Sequence, residues 1–312
     1  MHTLTKCILL PIDEKEESLR PVEFIRRLYP LSEVSLILCY FSPPAPPVYS
    51  GAVVKSPDLL SRKKEFYQVR QQDIRRVFDH AKDFLLKEGF AKELIREHVE
   101  QRQLSVSKQA CLLADVTKVD AVLVQKRVTS SLEGFIRGDP SSALLEHCIR
   151  SPVWFTEGEI DPKSAAICIV NEEASLRIAD HAGFMLSNTG VKIDLLHATK
   201  ELSRPLSCLP SEASKVLADY AHSSAGQDNI SYLLKAFAIL ADYGIDENRV
   251  RITLIPDKRH TADEILSWCN SSGIGIIGLG HSQPEGIWSF LKTSVTRKIL
   301  SDFQNMAVWV AQ

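Results

Sequence analysis

Lys258, Arg259 and His260 stand directly before Thr261-Ala262-Asp263-Glu264, a hydroxyl and a carboxylate at capping-box spacing. The free N–H groups of a helix's first turn attract anions, and cations beside them would strengthen a phosphate site. The plainer reading is a solvated loop. His197 ends an apolar run without a paired nucleophile, so it reads as structural rather than as a general base. The sequence contains neither Gly-x-x-x-x-Gly-Lys-Ser/Thr nor Gly-x-Ser-x-Gly. Gly273-Ile274-Gly275 precedes a strand instead of opening a helix, which is the wrong context for a dinucleotide fingerprint. These observations disfavour an enzyme. Seven scattered cysteines (Cys7, Cys39, Cys111, Cys148, Cys168, Cys208 and Cys269) form no Cys-x-x-Cys pair, and reduced core thiols are expected rather than metal ligands or a disulfide framework.

The elements that position these residues alternate between strand and helix. In the first half, strands are expected at Cys7 to Ile12, Val34 to Phe41, Leu94 to Val99, Ala121 to Val124 and Val153 to Thr156. Helices are expected at Pro21 to Tyr29, Arg62 to Glu88, Ser105 to Ala114 and Ser141 to Cys148, with a Pro-rich loop from Ser42 to Ser56. The second half repeats the order. Its strands fall at Ala166 to Val170, Lys192 to His197, Val250 to Ile255, Gly275 to Leu279 and Ala307 to Val310, and its helices at Ala174 to Leu186, Ser231 to Tyr243, Thr261 to Asn270 and Val295 to Ser301. Strands bounded by helices and rich in Ile, Val and Leu imply a parallel sheet covered on both faces. The fold class is therefore α/β, with two tandem open parallel five-stranded sheets.

A repeat underlies that order. Pro152-Val153-Trp154-Phe155 recurs as Ala307-Val308-Trp309-Val310, an offset of 155 residues between Trp154 and Trp309. The same offset carries Ala121-Val122-Leu123-Val124 onto Ile276-Ile277-Gly278-Leu279 and Leu144-Leu145 onto Ile299-Leu300. Duplication explains a chain of 312 residues as two domains, 1–157 and 158–312, joined by the polar stretch Glu157 to Ser164. The two Val-Trp strands are expected to pair within the molecule, protecting two apolar edges. That makes an intramolecular pseudo-dimer, and pairing of two whole chains is left open.

Composition bounds the partners. With 37 basic and 39 acidic side chains the net charge is −2, which gives no global field for nucleic acid or an anionic membrane. The apolar runs are strand-sized, short of the ~20 residues a membrane span needs. The start of the chain lacks the pattern of a secretory signal, so a cytoplasmic location is the expectation. Arg62-Lys63-Lys64 shares its helix with Glu65, Asp73, Asp79, Asp83 and Glu88 and reads as a mixed solvated face.

Several motifs together resemble the universal stress protein family. Cys7-Ile8-Leu9-Leu10-Pro11-Ile12-Asp13 is similar to the family's opening strand ending in Pro-x-Asp. Gly280-His281-Ser282-Gln283, then Pro284 to Lys292, then Thr293-Ser294 keeps the spacing of the family's Gly-x-x-Gly, nine residues, Gly-Ser/Thr phosphate loop. The first half has Gln125-Lys126-Arg127-Val128, Thr129 to Arg137 and Gly138-Asp139 there. The resemblance implies a regulatory protein of the stress response, with ATP or ADP as the ligand and weak ATP hydrolysis left open. It places phosphate contacts at Gly280, Gln283, Thr293 and Ser294, and at Gly138 in the first half. It places the adenine-side aspartate at Asp13, with Asn171 as its counterpart, and the wall of the adenine pocket at Tyr40 and Ala198. Asp139-Pro140 matches a helix N-cap followed by proline, so the first loop is expected to cap its own helix instead of holding phosphate. Any nucleotide is therefore expected in the second half. The alternative is a scaffold whose pockets are vestigial or repurposed.

Overall fold

The computed structural model describes residues 5–50, 56–126, 148, 150–170, 172–281 and 295–312. Eleven strands are β1 Lys6–Pro11, β2 Val34–Ser42, β3 Ile95–Gln101, β4 Ala121–Gln125, β5 Val153–Glu157, β6 Ser164–Cys168, β7 Lys192–Thr199, β8 Leu206–Cys208, β9 Val250–Pro256, β10 Ile276–Gly280 and β11 Met306–Ala311. The described helices of eight residues or more are α1 Pro21–Leu28, α2 Pro57–Lys87, α3 Val106–Thr117, α4 Glu173–Leu186, α5 Ser224–Asp242, α6 Thr261–Ser272 and α7 Val295–Asp302. The expected helix from Ser141 lies outside the described residues except for Cys148.

All eleven strands belong to one sheet, in the order β3-β2-β1-β4-β5-β11-β10-β6-β7-β9-β8. Each half contributes five parallel strands, and the two sets meet where β5 pairs antiparallel with β11. The two five-stranded sheets join through the expected pairing of the two Val-Trp strands. They merge because each last strand, apolar and fully or almost fully buried, needs a second partner and finds the other. The short strand β8, absent from the sequence reading, pairs antiparallel with β9 and covers that edge.

Helices cover both faces. Residues such as Phe24 of α1, Phe78 of α2, Ile178 of α4 and Leu233 of α5 pack on one face of the sheet. Ala110 of α3, Ile265 of α6 and Ile299 of α7 pack on the other. Strands sandwiched in this way read as continuous apolar runs rather than alternating ones, as in β2. At α6 the N-cap falls one residue before the expected Thr261, and the expected capping box does not form among the described hydrogen bonds. His260 is the N-cap, its Nδ1 accepting from Ala262 N at 3.3 Å, while Thr261 Oγ1 donates to Asp257 Oδ2 at 2.8 Å. Gly273 ends the same helix at φ 65°, a conformation that favours glycine.

The seam is aromatic. Trp154 lies directly opposite Trp309 across β5 and β11, and their rings stack at 4.0 Å with an interplanar angle of 3°. Trp154 Nε1 donates to His181 Nε2 at 2.8 Å, whereas Trp309 Nε1, also buried, has no acceptor among the described residues. Burial brings His181 down to about 3.

The expectation of reduced thiols is corrected at one pair. Cys111 of α3 and Cys148 are joined by a disulfide with Cα atoms 4.8 Å apart, and the other five cysteines are free. Spacing could not show this, because the partners are 37 residues apart and meet only when α3 packs against the chain leading into β5. At the positions 155 residues further on, the second half has the buried pair Leu266 and Phe303. Closing a loop of that length limits the unfolded chain and contributes about 4 kcal/mol. Adding reductant, or replacing Cys148 with serine, is therefore expected to lower the denaturant midpoint. The same midpoint with and without reductant would show that the bond carries no stability.

Candidate functional site

The loops beyond the carboxyl ends of the parallel strands are where an open sheet of this kind binds ligands. Each half has one such rim. Asp13, Ala198 and Gly280 fall on the rims, while Gln283, Thr293, Ser294, Asn171 and Gly138 lie outside the described residues.

The first rim is filled by its own side chains. Asp13 Oδ1 accepts from Lys15 N at 3.0 Å and its backbone N donates to Ser18 Oγ at 3.3 Å, so this carboxylate shapes the turn after β1. Tyr40, buried at the end of β2, donates its hydroxyl to Glu14. Burial pushes that phenol up, and the Glu14 carboxylate adds to the effect. Gln109 of α3, also buried, accepts from Gln103 N at 2.8 Å and Leu104 N at 3.1 Å and donates to Gln101 O at 3.2 Å. Its amide thereby satisfies the turn between β3 and α3. Arg70 of α2 reaches across to Ser42 Oγ at 2.8 Å and to the Pro43 carbonyl.

Lys126 follows β4 at the second position of the first phosphate-loop segment. Its Nζ donates to Ser301 O at 2.8 Å and Phe303 O at 2.9 Å, pairs with Glu157 at 2.9 Å and lies 4.4 Å from the centre of the Phe303 ring. Those carbonyls close the C-terminal end of α7, where a cation is favoured. This lysine therefore joins the two halves. Sequence reasoning missed it, because nothing near Lys126 reveals acceptors 175 residues away.

The second rim differs at each equivalent place. Ile12 N bonds Cys39 O and Ile169 N bonds Leu196 O, so this part of the repeat runs at an offset of 157 residues. Asp13 N bonds Ser18 Oγ just as Val170 N bonds Ser175 Oγ at 2.9 Å. The counterpart of Asp13 is thus Val170, 46% exposed, rather than Asn171. The same offset places His197 opposite Tyr40, and Ala198, half-buried, opposite Phe41. His197 Nδ1 contacts Ile169 O at 2.8 Å, and burial lowers its pKa despite that hydrogen bond. It ties two strand ends together, in line with a structural role.

Gly280 ends β10 against the first turn of α4, and a Cβ there would overlap the Ala174 carbonyl group. Close helix packing accounts for this glycine without a ligand. At the end of β9, Lys258 and Arg259 are exposed beside the start of α6 and take part in none of the described ion pairs. Asp257 binds Thr261 through Oδ2, and its buried Oδ1 has no hydrogen-bond partner among the described residues.

A groove of about 920 Å³ lies at the amino ends of the second half's strands, between Arg27, Glu159, Asp161, Lys163 and Asn305. Its cations are engaged, Arg27 by Glu23 and Glu159 and Lys163 by Asp161. Among the described residues no group of three His, Cys, Asp or Glu could hold a metal ion, and no helix is long and apolar enough to cross a membrane.

No curated protein matches the chain. Across nearly its whole length, the chain is similar in fold to a universal stress protein from Archaeoglobus fulgidus DSM 4304, with a TM-score of 0.60, 12% identity, and coverage of 99% of this chain and 97% of that one. A putative universal stress protein from Pseudomonas aeruginosa UCBPP-PA14 matches at a TM-score of 0.51 and 13% identity, covering 98% and 93%. A functionally unknown protein from Pseudomonas aeruginosa PAO1 matches at 0.52 and 13%, covering 98% and 92%. At these identities the likeness is one of fold. In sequence, residues 5–155 match the model of the Universal stress protein family.

Proposed function

We propose that the chain is a regulatory protein, not an enzyme, built from two universal stress protein-like domains, residues 1–157 and 158–312, and that ATP or ADP binds at the rim of the second. The observation that carries this reading is the unequal state of the rims. In the first, Tyr40 is bonded to Glu14 and Lys126 is held by the end of α7. In the second, Lys258 and Arg259 stand exposed beside the first turn of α6, where cations and helix N–H groups favour phosphate together. Nucleotide occupancy would then tune contacts with protein partners.

Calorimetric titration with ATP and ADP tests it. Binding is expected for the native chain and for Lys126→Ala. It is expected to weaken at least about tenfold, the effect of losing roughly 1.4 kcal/mol, in the double variant Lys258→Glu, Arg259→Glu, and to vanish in Ser294→Asp. No heat at millimolar nucleotide would sink the nucleotide reading. Two observations favour the scaffold alternative: Val170 in place of a carboxylate, and a Gly280 that helix packing already explains.

A further inference from the structure

The sheet's two outer edges are unlike. In the second half β9 is covered by β8, with Leu206, Ser207 and Cys208 opposite Leu254, Thr253 and Ile252. In the first half the strand at the same position, β3, ends the sheet, and no described residue pairs with its outer side. Ile95 is buried, but Arg96, Glu97, Val99, Glu100 and Gln101 are exposed, Val99 by 50%.

The direction of its backbone groups follows from one bond on each side of the repeat. Arg102 N donates to Ser42 O, and Asp257 N donates to Thr199 O. Backbone groups alternate along a strand, so Arg96, His98 and Glu100 turn theirs toward β2. The Ile95 N–H is bonded to Lys92 O, while Glu97 and Val99 present outward N–H and C=O groups that no described residue takes up. Ile252 and Leu254 do the same 155 residues on, and there β8 takes them up about the central pair Thr253 and Ser207. The counterpart of Thr253 is His98.

We propose that a second copy of this chain takes the place of β8 on β3, the two strands pairing antiparallel about His98 and His98 of the other copy. In that register Glu97 and Val99 of each copy exchange backbone hydrogen bonds with Val99 and Glu97 of the other. Arg96 stands opposite Glu100 and Glu100 opposite Arg96, so the charge pattern is self-complementary. Shifting the centre to Glu97 would set like charges face to face, and shifting it to Val99 would set Arg96 against Arg102. Arg96 also donates to Cys7 Sγ at 3.1 Å, which leaves most of its guanidinium donors for the carboxylate. A pair of seven-residue edges is a small interface, so the dimer belongs to the weak, transient class.

Sedimentation equilibrium of the full chain, from about 1 to 500 μM, spans the affinities of that class and tests the proposal. The native chain is expected to approach twice its monomer mass. Arg96→Glu alone and Glu100→Arg alone each place like charges opposite one another and are expected to raise the dissociation constant at least tenfold. An equimolar mixture of the two restores every opposite pair and is expected to dimerise again. Val99→Pro removes an outward N–H that no described strand of the monomer uses, so it is expected to abolish dimerisation while leaving the circular dichroism spectrum unchanged. A native chain that stays monomeric throughout, or a dimer indifferent to these variants, would overturn the proposal.

Discussion

Trp309→Lys is expected to lower the free energy of unfolding by more than about 4 kcal/mol, the scale of losing a core tryptophan with a buried charge added. Trp309 is fully buried and stacked on Trp154. A lysine at that position would have to hold its ammonium in the apolar layer between the halves or draw water into the seam. Either course separates β5 from β11. Trp154→Lys is expected to act as strongly, and also to leave His181 without its donor. Trp309→Phe is the control. It removes an indole N–H that has no acceptor among the described residues, so its cost is expected to be far smaller. Urea unfolding measures all three. A loss below about 2 kcal/mol for Trp309→Lys would place it among ordinary point substitutions and show that the stack does not hold the halves together.

The second large effect concerns acid. Burial holds His181 at about 3, against about 6.5 in the unfolded chain. As pH falls, the unfolded chain takes up the proton first. The stabilisation is therefore complete above about pH 6.5 and is lost progressively toward pH 3. The gap corresponds to about 4–5 kcal/mol. Unfolding free energies measured from pH 7.5 to pH 4 should fall steeply for the native chain and less steeply for His181→Phe. That variant begins from a lower value at neutral pH, because Trp154 Nε1 loses its acceptor. Parallel curves would refute the assignment. His197, lowered in the same direction, contributes to both curves and so does not alter the comparison.

The strands and helices were legible because apolar runs and 3.6-residue periodicity are local signals. Even there, α5 begins at Ser224 instead of Ser231, since its polar first turns carry no apolar rhythm. The pairing of the two Val-Trp strands was legible because an apolar edge must be covered. Register was less so. One offset of 155 residues fits β3, β4 and β5, but β1 and β2 match β6 and β7 at 157, so the counterpart of Asp13 is Val170 rather than Asn171, and hydrogen bonds rather than letters reveal it. At the rims, Asp13 and Gly280 matched ligand motifs by type, yet the structure gives each a backbone duty of its own. Lys126, Gln109 and the Cys111–Cys148 bond were illegible for a common reason. Their partners are brought near only by tertiary packing, and a side chain's type does not name what it will meet.

Because β5 and β11 run in opposite directions, the two rims face opposite ends of the molecule, and α7 spans the gap between them. Lys298 ties it, at 3.1 Å, to Asp263 in the first turn of α6 on the second rim. The last turn of α7 offers carbonyls to Lys126 on the first. Eight helical residues make a strut about 12 Å long, stiff along its axis. One short helix therefore carries an ion pair on the second rim and offers backbone carbonyls to Lys126 on the first.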